Sequence, residues 1–146
     1  NIIEETVLAL SRMNVRQVGI LATEGTVSSG AYHKVCSAHG LTAVAPAPED
    51  QRRLNDLIYR SIKSGIRPRA EELERIAAPL RRAGCERLIL GCTELSLIKR
   101  DGGLDERLYI DSTEVLALRT ILRFGKTPIG FSDILLEAAT FDNNKR

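Results

Sequence analysis

Apolar positions along the chain alternate between two rhythms, one helical and one of short unbroken runs. Ile3, Val7 and Leu10 recur at helical spacing, so roughly the first dozen residues predict an amphipathic helix. Val18-Gly19-Ile20-Leu21-Ala22 is a continuous apolar run, the pattern of a parallel strand covered on both faces. A loop rich in Gly, Ser and Thr spans residues 23–30, and a helix is expected over residues 26–39, with Gly40 as its C-cap. Leu41-Thr42-Ala43-Val44-Ala45 reads as a second strand, stopped by Pro46 and Pro48. Leu54, Leu57, Ile58 and Ile62 mark a helix closed by Gly65, and Leu73, Ile76, Ala77 and Leu80 mark another closed by Gly84. Pro79 lies inside that last pattern and is expected to kink or split it.

Arg87-Leu88-Ile89-Leu90 then reads as a buried strand that runs straight into Gly91-Cys92-Thr93-Glu94, with a helix beginning at Thr93. Leu108-Tyr109-Ile110 is a fourth strand, and Asp111 or Ser112 is a natural N-cap for a helix carrying Val115, Leu118, Ile121 and Leu122. The sum is an α/β fold, a parallel sheet of about four strands with helices on both faces. Right-handed crossovers gather the loops that begin at Thr23, Cys92 and Asp111 on one edge of that sheet. Residues 1–125 form this unit. Residues 126–146 are a C-terminal tail, with one helix expected around Ile134-Leu135-Leu136.

Composition narrows the function classes more than the fold. The 146 residues suit one domain with a real core, and 43% hydrophobic against 27% charged residues is ordinary for a globular protein. A net charge of only +2, with 4% aromatics and no Trp, gives neither a basic surface nor stacking platforms for nucleic acid. No run approaches the roughly 18 apolar residues of a spanning helix, and no signal segment opens the chain, so no membrane partner is expected. Three cysteines at wide spacing, without a CxxC pair, argue against a disulfide framework and a zinc site and place the protein in a reducing cytoplasm. The chain opens at Asn1 as if already entering a helix, without an initiator Met, and reads as part of a longer one.

Cys92 stands at the carboxyl end of a parallel strand, where open α/β sheets place their ligand sites. It is expected to face the first amides of the following helix, whose partial positive charge favours a thiolate. The alternative is an inert packing thiol, since free cysteine is among the most buried residue types. Glycine before it and Thr-Glu after it favour the reactive reading. In the loop from Thr23 to Gly30, hydroxyls and amides at a helix start can cradle a carboxylate, or the same Thr and Ser can simply cap the helix. The loop lacks the spacing of a P-loop or a dinucleotide fingerprint, so a small anion fits it better than a nucleotide. Cys36, in mid-helix, and Cys85, entering a strand, read as structural. His33 and His39 are six residues apart, poor spacing for one face. Lys63 lies near a helix end, where cations complement the dipole.

Residues 18–26, Tyr32, Leu90-Gly91-Cys92-Thr93-Glu94-Leu95 and Ile110-Asp111-Ser112-Thr113 together carry a resemblance. In order and spacing, from about residue 1 to 118, the chain resembles the C-terminal part of the aspartate/glutamate racemase family. GCTE, rather than the GCTH of glutamate racemases of cell-wall synthesis, points to the aspartate racemase-like branch. The resemblance implies one lobe of a pseudo-symmetric two-lobe fold that uses no pyridoxal phosphate or other cofactor and no metal. Two cysteines, one per lobe, flank the substrate Cα; one thiolate removes the proton and the opposite thiol returns one to the other face. Carried over by position, Cys92 is the acid/base of this lobe, Thr93 binds the substrate carboxylate, and Thr23 and Thr26 line the anion loop. Lys63, in an I-K-x-G context, falls where some aspartate racemases pair a lysine with a substrate carboxylate. Glu94 orients or polarises Cys92, although a carboxylate too close raises a thiol's pKa.

The N-terminal-lobe cysteine, in a Cys-Asn-Thr segment, has no counterpart among these 146 residues. The expected partners are a small dicarboxylic amino acid, the N-terminal lobe of the same protein, and a second copy in a homodimer. The chain alone is expected to be inactive or nearly so. Related enzymes of the superfamily (hydantoin racemases, maleate isomerases, arylmalonate decarboxylases) and a non-catalytic small-acid-binding domain are the alternatives.

Overall fold

Each of the four apolar runs becomes a strand: β1 (Gln17–Leu21), β2 (Thr42–Val44), β3 (Arg87–Leu90) and β4 (Tyr109–Asp111). The computed structural model describes residues 1–61, 64–65, 69–101 and 103–140. The strands form one all-parallel sheet in the order β2-β1-β3-β4. The chain starts in the middle of the sheet, winds to one edge and returns to build the other. The strand order therefore reverses between β1 and β3, the place where open α/β sheets leave a crevice.

Helices α1 (Ile2–Arg12), α2 (Glu24–Ser28), α3 (Ala31–Ala38), α4 (Pro48–Asp56), α5 (Ala70–Arg82), α6 (Thr93–Arg100), α7 (Ser112–Arg123) and α8 (Asp133–Thr140) surround the sheet. Alternation along the strands sorts them into two layers. Val18, Ile20, Ala22, Ile89 and Ile110 pack with buried residues of α1, α3, α7 and α8. Leu21, Leu88, Leu90 and Tyr109 pack on the other face with residues of α4, α5 and α6. Gly19 lets α5 press against this second face, because a Cβ there would lie 2.5 Å from Leu88 Cδ2 and 3.0 Å from Leu80 Cδ1. The exposed Glu86 carboxylate accepts from the Arg16 amide at 2.7 Å and the Gln17 amide at 3.2 Å, tying the start of β1 to that of β3. Those two bonds hold its pKa below the usual carboxylate value.

Three local expectations change. The single helix over 26–39 is two helices, α2 and α3, separated at Gly30, whose φ of 68° is left-handed and open to glycine without strain. Ser29 stabilises the break by donating to the Thr26 carbonyl at 2.7 Å and accepting from the Ala31 amide at 3.3 Å. Pro79 does not split α5, which runs unbroken through it. The proline removes one amide donor near the helix end, while Leu73, Ile76, Ala77 and Leu80 remain buried against the sheet. The helix expected from Leu54 onward begins at Pro48, a residue preset for a first helical turn, and passes at Leu57–Ser61 into a π-helical turn.

The tail helix is α8, and two arginines fasten it. Arg12 donates to the Ala138 carbonyl at 3.3 Å. Arg119 donates to the Ala139 carbonyl at 2.7 Å and, through Nε, to Glu5 at 2.8 Å. Cations on the last carbonyls of a helix satisfy unpaired acceptors and oppose the dipole.

Candidate active site

The register Leu21↔Leu90↔Asp111 brings the three loops starting at Thr23, Cys92 and Asp111 to one edge of the sheet. The Gly91 amide donates to the Leu21 carbonyl at 2.8 Å, so Thr23 and Cys92 each lie two residues past a registered pair at the reversal of strand order. Gly91 has little room beside it. A Cβ there would meet Ala22 Cβ at 3.1 Å and the Tyr32 ring and hydroxyl at 3.2 and 3.3 Å. Ser112 donates to the Leu90 carbonyl at 2.7 Å, fixing the peptide that leads into Gly91 and Cys92.

Cys92 is the N-cap residue of α6 and is half-buried. Its thiol makes no capping hydrogen bond to the α6 amides. Instead Sγ donates to Glu94 Oε2 at 2.8 Å, and the Thr93 hydroxyl donates to the same oxygen at 3.1 Å. The α6 amides are donors, which sulfur could meet only as a weak acceptor, whereas the Glu94 carboxylate accepts the S–H proton. The Glu94 carboxylate is thus the partner of both the Cys92 thiol and the Thr93 hydroxyl.

Thr23 makes no side-chain cap to α2; its hydroxyl lies 3.1 Å from that of Thr26. Simple helix capping by Thr23 is therefore not what the loop does. Asp111, only 2% exposed, is the N-cap of α7 and accepts from the Thr113 amide at 2.8 Å. Burial pushes the Tyr32 hydroxyl's pKa up, with Cys36 and Asp111 adding to the rise and Ser112 opposing it. Cys36 and Cys85 are buried away from the loops, and burial raises the Cys36 pKa to about 11. Lys63 lies outside the described residues.

Two residues that sequence reasoning passed over, Gln51 and Asn55 of α4, bind the Thr23 loop. The available signal was a polar Gln51 at the same helical spacing as the buried Leu54 and Ile58, a break in the apolar stripe.

A doubly wound parallel α/β domain with a thiol and two threonines at its strand-order reversal has these groups where open sheets of this class place their ligand sites. The chain belongs to the Asp/Glu/Hydantoin racemase family, whose model matches residues 1–120. It is 32% identical over 122 residues to a protein encoded in the pnlA 3′ region of Pectobacterium carotovorum subsp. carotovorum, a match covering 83% of this chain and 81% of that one. It is 30% identical over 93 residues to the glutamate racemase of Corynebacterium diphtheriae, covering 62% of this chain and 33% of the enzyme. In structure it is similar to the Picrophilus torridus aspartate racemase, with a TM-score of 0.71 and 25% identity over 95% of this chain and 57% of the enzyme. The chain thus spans little more than half of that racemase.

Proposed function

We propose that this chain is a lobe of a cofactor-independent amino-acid racemase that interconverts L- and D-aspartate or glutamate, with Cys92 as its proton-transferring thiol. The observation that carries this reading is the half-buried Cys92 at the end of β3, two residues past the register it shares with β1. An amino-acid Cα–H is a weak acid, so its base must be close, aligned and shielded from water. Charge then develops on the substrate carboxylate and needs donors in place. Thr23 and Thr26 supply hydroxyls for that carboxylate, Thr93 does so by turning its hydroxyl from Glu94 to the substrate, and Lys63 supplies a cation for the second one. Glu94 orients the thiol.

Racemisation through two thiols needs a second one on the opposite face of Cα. Cys36 lies in the core between α3 and the sheet, and Cys85 precedes β3 at the other end of the strand from Cys92. The partner thiol comes from the remaining lobe that full-length racemases carry, and the 146 residues alone do not racemise. We propose that lobe, and a second copy of the chain, as its partners.

The test is a chiral assay of L-aspartate, L-glutamate and a disubstituted malonate with the purified chain and its Cys92→Ala variant. No L-to-D conversion by the chain alone is the expected result. Conversion abolished by Cys92→Ala would refute the need for a second thiol, and decarboxylation of the malonate would favour single-thiol decarboxylase chemistry.

A further inference from the structure

Helix α4 contributes no group to the proposed proton transfer, yet it grips the loop that carries Thr23. Gln51 Nε2 donates to the Ala22 carbonyl at 2.9 Å. Asn55 Oδ1 accepts from the Glu24 amide at 3.1 Å, and Asn55 Nδ2 donates to Glu24 Oε2 at 3.3 Å. The two amides are themselves joined, Gln51 Nε2 to Asn55 Oδ1 at 3.2 Å. The Ala22 carbonyl and the Glu24 amide belong to the peptide groups on either side of Thr23, so α4 holds both of them. Residues four apart on a helix share one face, which is what lets a single helix do this.

We infer that Gln51 and Asn55 are positioning residues that fix the Thr23 loop and thereby set the affinity of the site for a substrate carboxylate, an inference that rests on reading this loop as the carboxylate cradle. Gln51 is only 7% exposed, and its Oε1 has no hydrogen-bond partner among the described residues. An apolar residue on this stripe would pack beside Leu54 and Ile58 without leaving a buried acceptor unpaired. A local rule broken in this way is expected next to a functional loop. The donor side of the Gln51 amide is fixed by its two acceptors, the Ala22 carbonyl and Asn55 Oδ1. The start of α4 is itself rigid, with Pro48 in its first turn and the Gln51 amide donating to the Ala47 carbonyl at 2.8 Å. The loop is thus preorganised by a helix packed on the opposite side from α3.

Asn55→Ala removes the acceptor for the Glu24 amide and leaves β3, α6 and Cys92 untouched. Gln51→Met, close in shape, is the second variant. Two quantities are measured in wild type and variants: hydrogen exchange of the Glu24 amide, and the L-aspartate concentration that halves the alkylation rate of Cys92. Exchange at Glu24 is expected to quicken about tenfold in Asn55→Ala, and the half-protecting concentration to rise about five- to tenfold in both variants. The Cys92 alkylation rate without aspartate, and its pH midpoint, stay at wild-type values; a general loss of structure would move them as well. Unchanged exchange in Asn55→Ala, or a loosened loop with an unchanged half-protecting concentration, overturns the inference. Absence of protection by aspartate in the wild type would count against the racemase reading, and the exchange of Glu24 would then decide by itself whether α4 holds the loop.

Discussion

At the scale of single residues, the chemistry proposed for the site turns on where the Cys92 proton sits. Sγ and the Thr93 hydroxyl both donate to one oxygen of Glu94, and a negative charge beside a thiol is expected to oppose its ionisation. Glu94→Gln removes that negative charge and supplies an amide donor that can hold a thiolate. The pH midpoint for alkylation of Cys92 is expected to fall, each unit raising the rate at neutral pH by about tenfold until the thiolate predominates. A midpoint that rises or does not move contradicts the assigned role. Position and neighbours of Cys92 were legible in the chain, because a strand, a glycine, a thiol and a helix start follow one another in four residues. The direction of its hydrogen bond was not. It depends on a χ rotation that chooses between the α6 amides and a carboxylate two residues away, and both lie within reach of the same position.

At the scale of elements, the strands were legible because each is a continuous apolar run that can be buried only between two layers of helices. Breaks within helices were less so. Gly30 ends one helix because its left-handed backbone is accommodated here, whereas Pro79 leaves α5 whole because buried neighbours on both sides anchor the helix. The clamp on Thr23 was illegible for a different reason: Gln51 and Asn55 bond residues 29 and 31 positions away, contacts that only the folded topology creates. The same is true of α8, foreseen as a helix but not as one capped by Arg12 and Arg119. Arg119→Met is expected to speed amide exchange across residues 133–140 while β1 and β3 keep their protection, at a cost of about 1–3 kcal/mol to global stability. Uniform loss of protection, or none, would show that this arginine does not hold α8 in place.

For the molecule as a whole, the buried Cys36 couples the core to pH. Its pKa rises to about 11 in the folded chain, against about 8.5 for an unfolded thiol. Below the unfolded value both states keep the proton and the contribution to stability is fully present. As pH rises through that window, the unfolded chain ionises first and stability is lost. Urea midpoints are expected to decline between about pH 8.5 and 11. In Cys36→Ala they should start lower, because of the cavity, and decline less steeply; an equal slope would place the pH dependence elsewhere.

The racemase fold also explains why the candidate site residues gather on a single edge of the sheet: parallel strands deliver every β–α loop there, and Thr23 and Cys92 follow the two strands between which the order reverses. The most direct measurement of that claim is the rate of Cys92 alkylation across pH, with and without L-aspartate, in the intact chain. The account predicts saturable protection by aspartate that weakens in Thr23→Val and Thr93→Val. An ordinary thiol midpoint of about 8.5, unaffected by aspartate, glutamate or a disubstituted malonate, would contradict it.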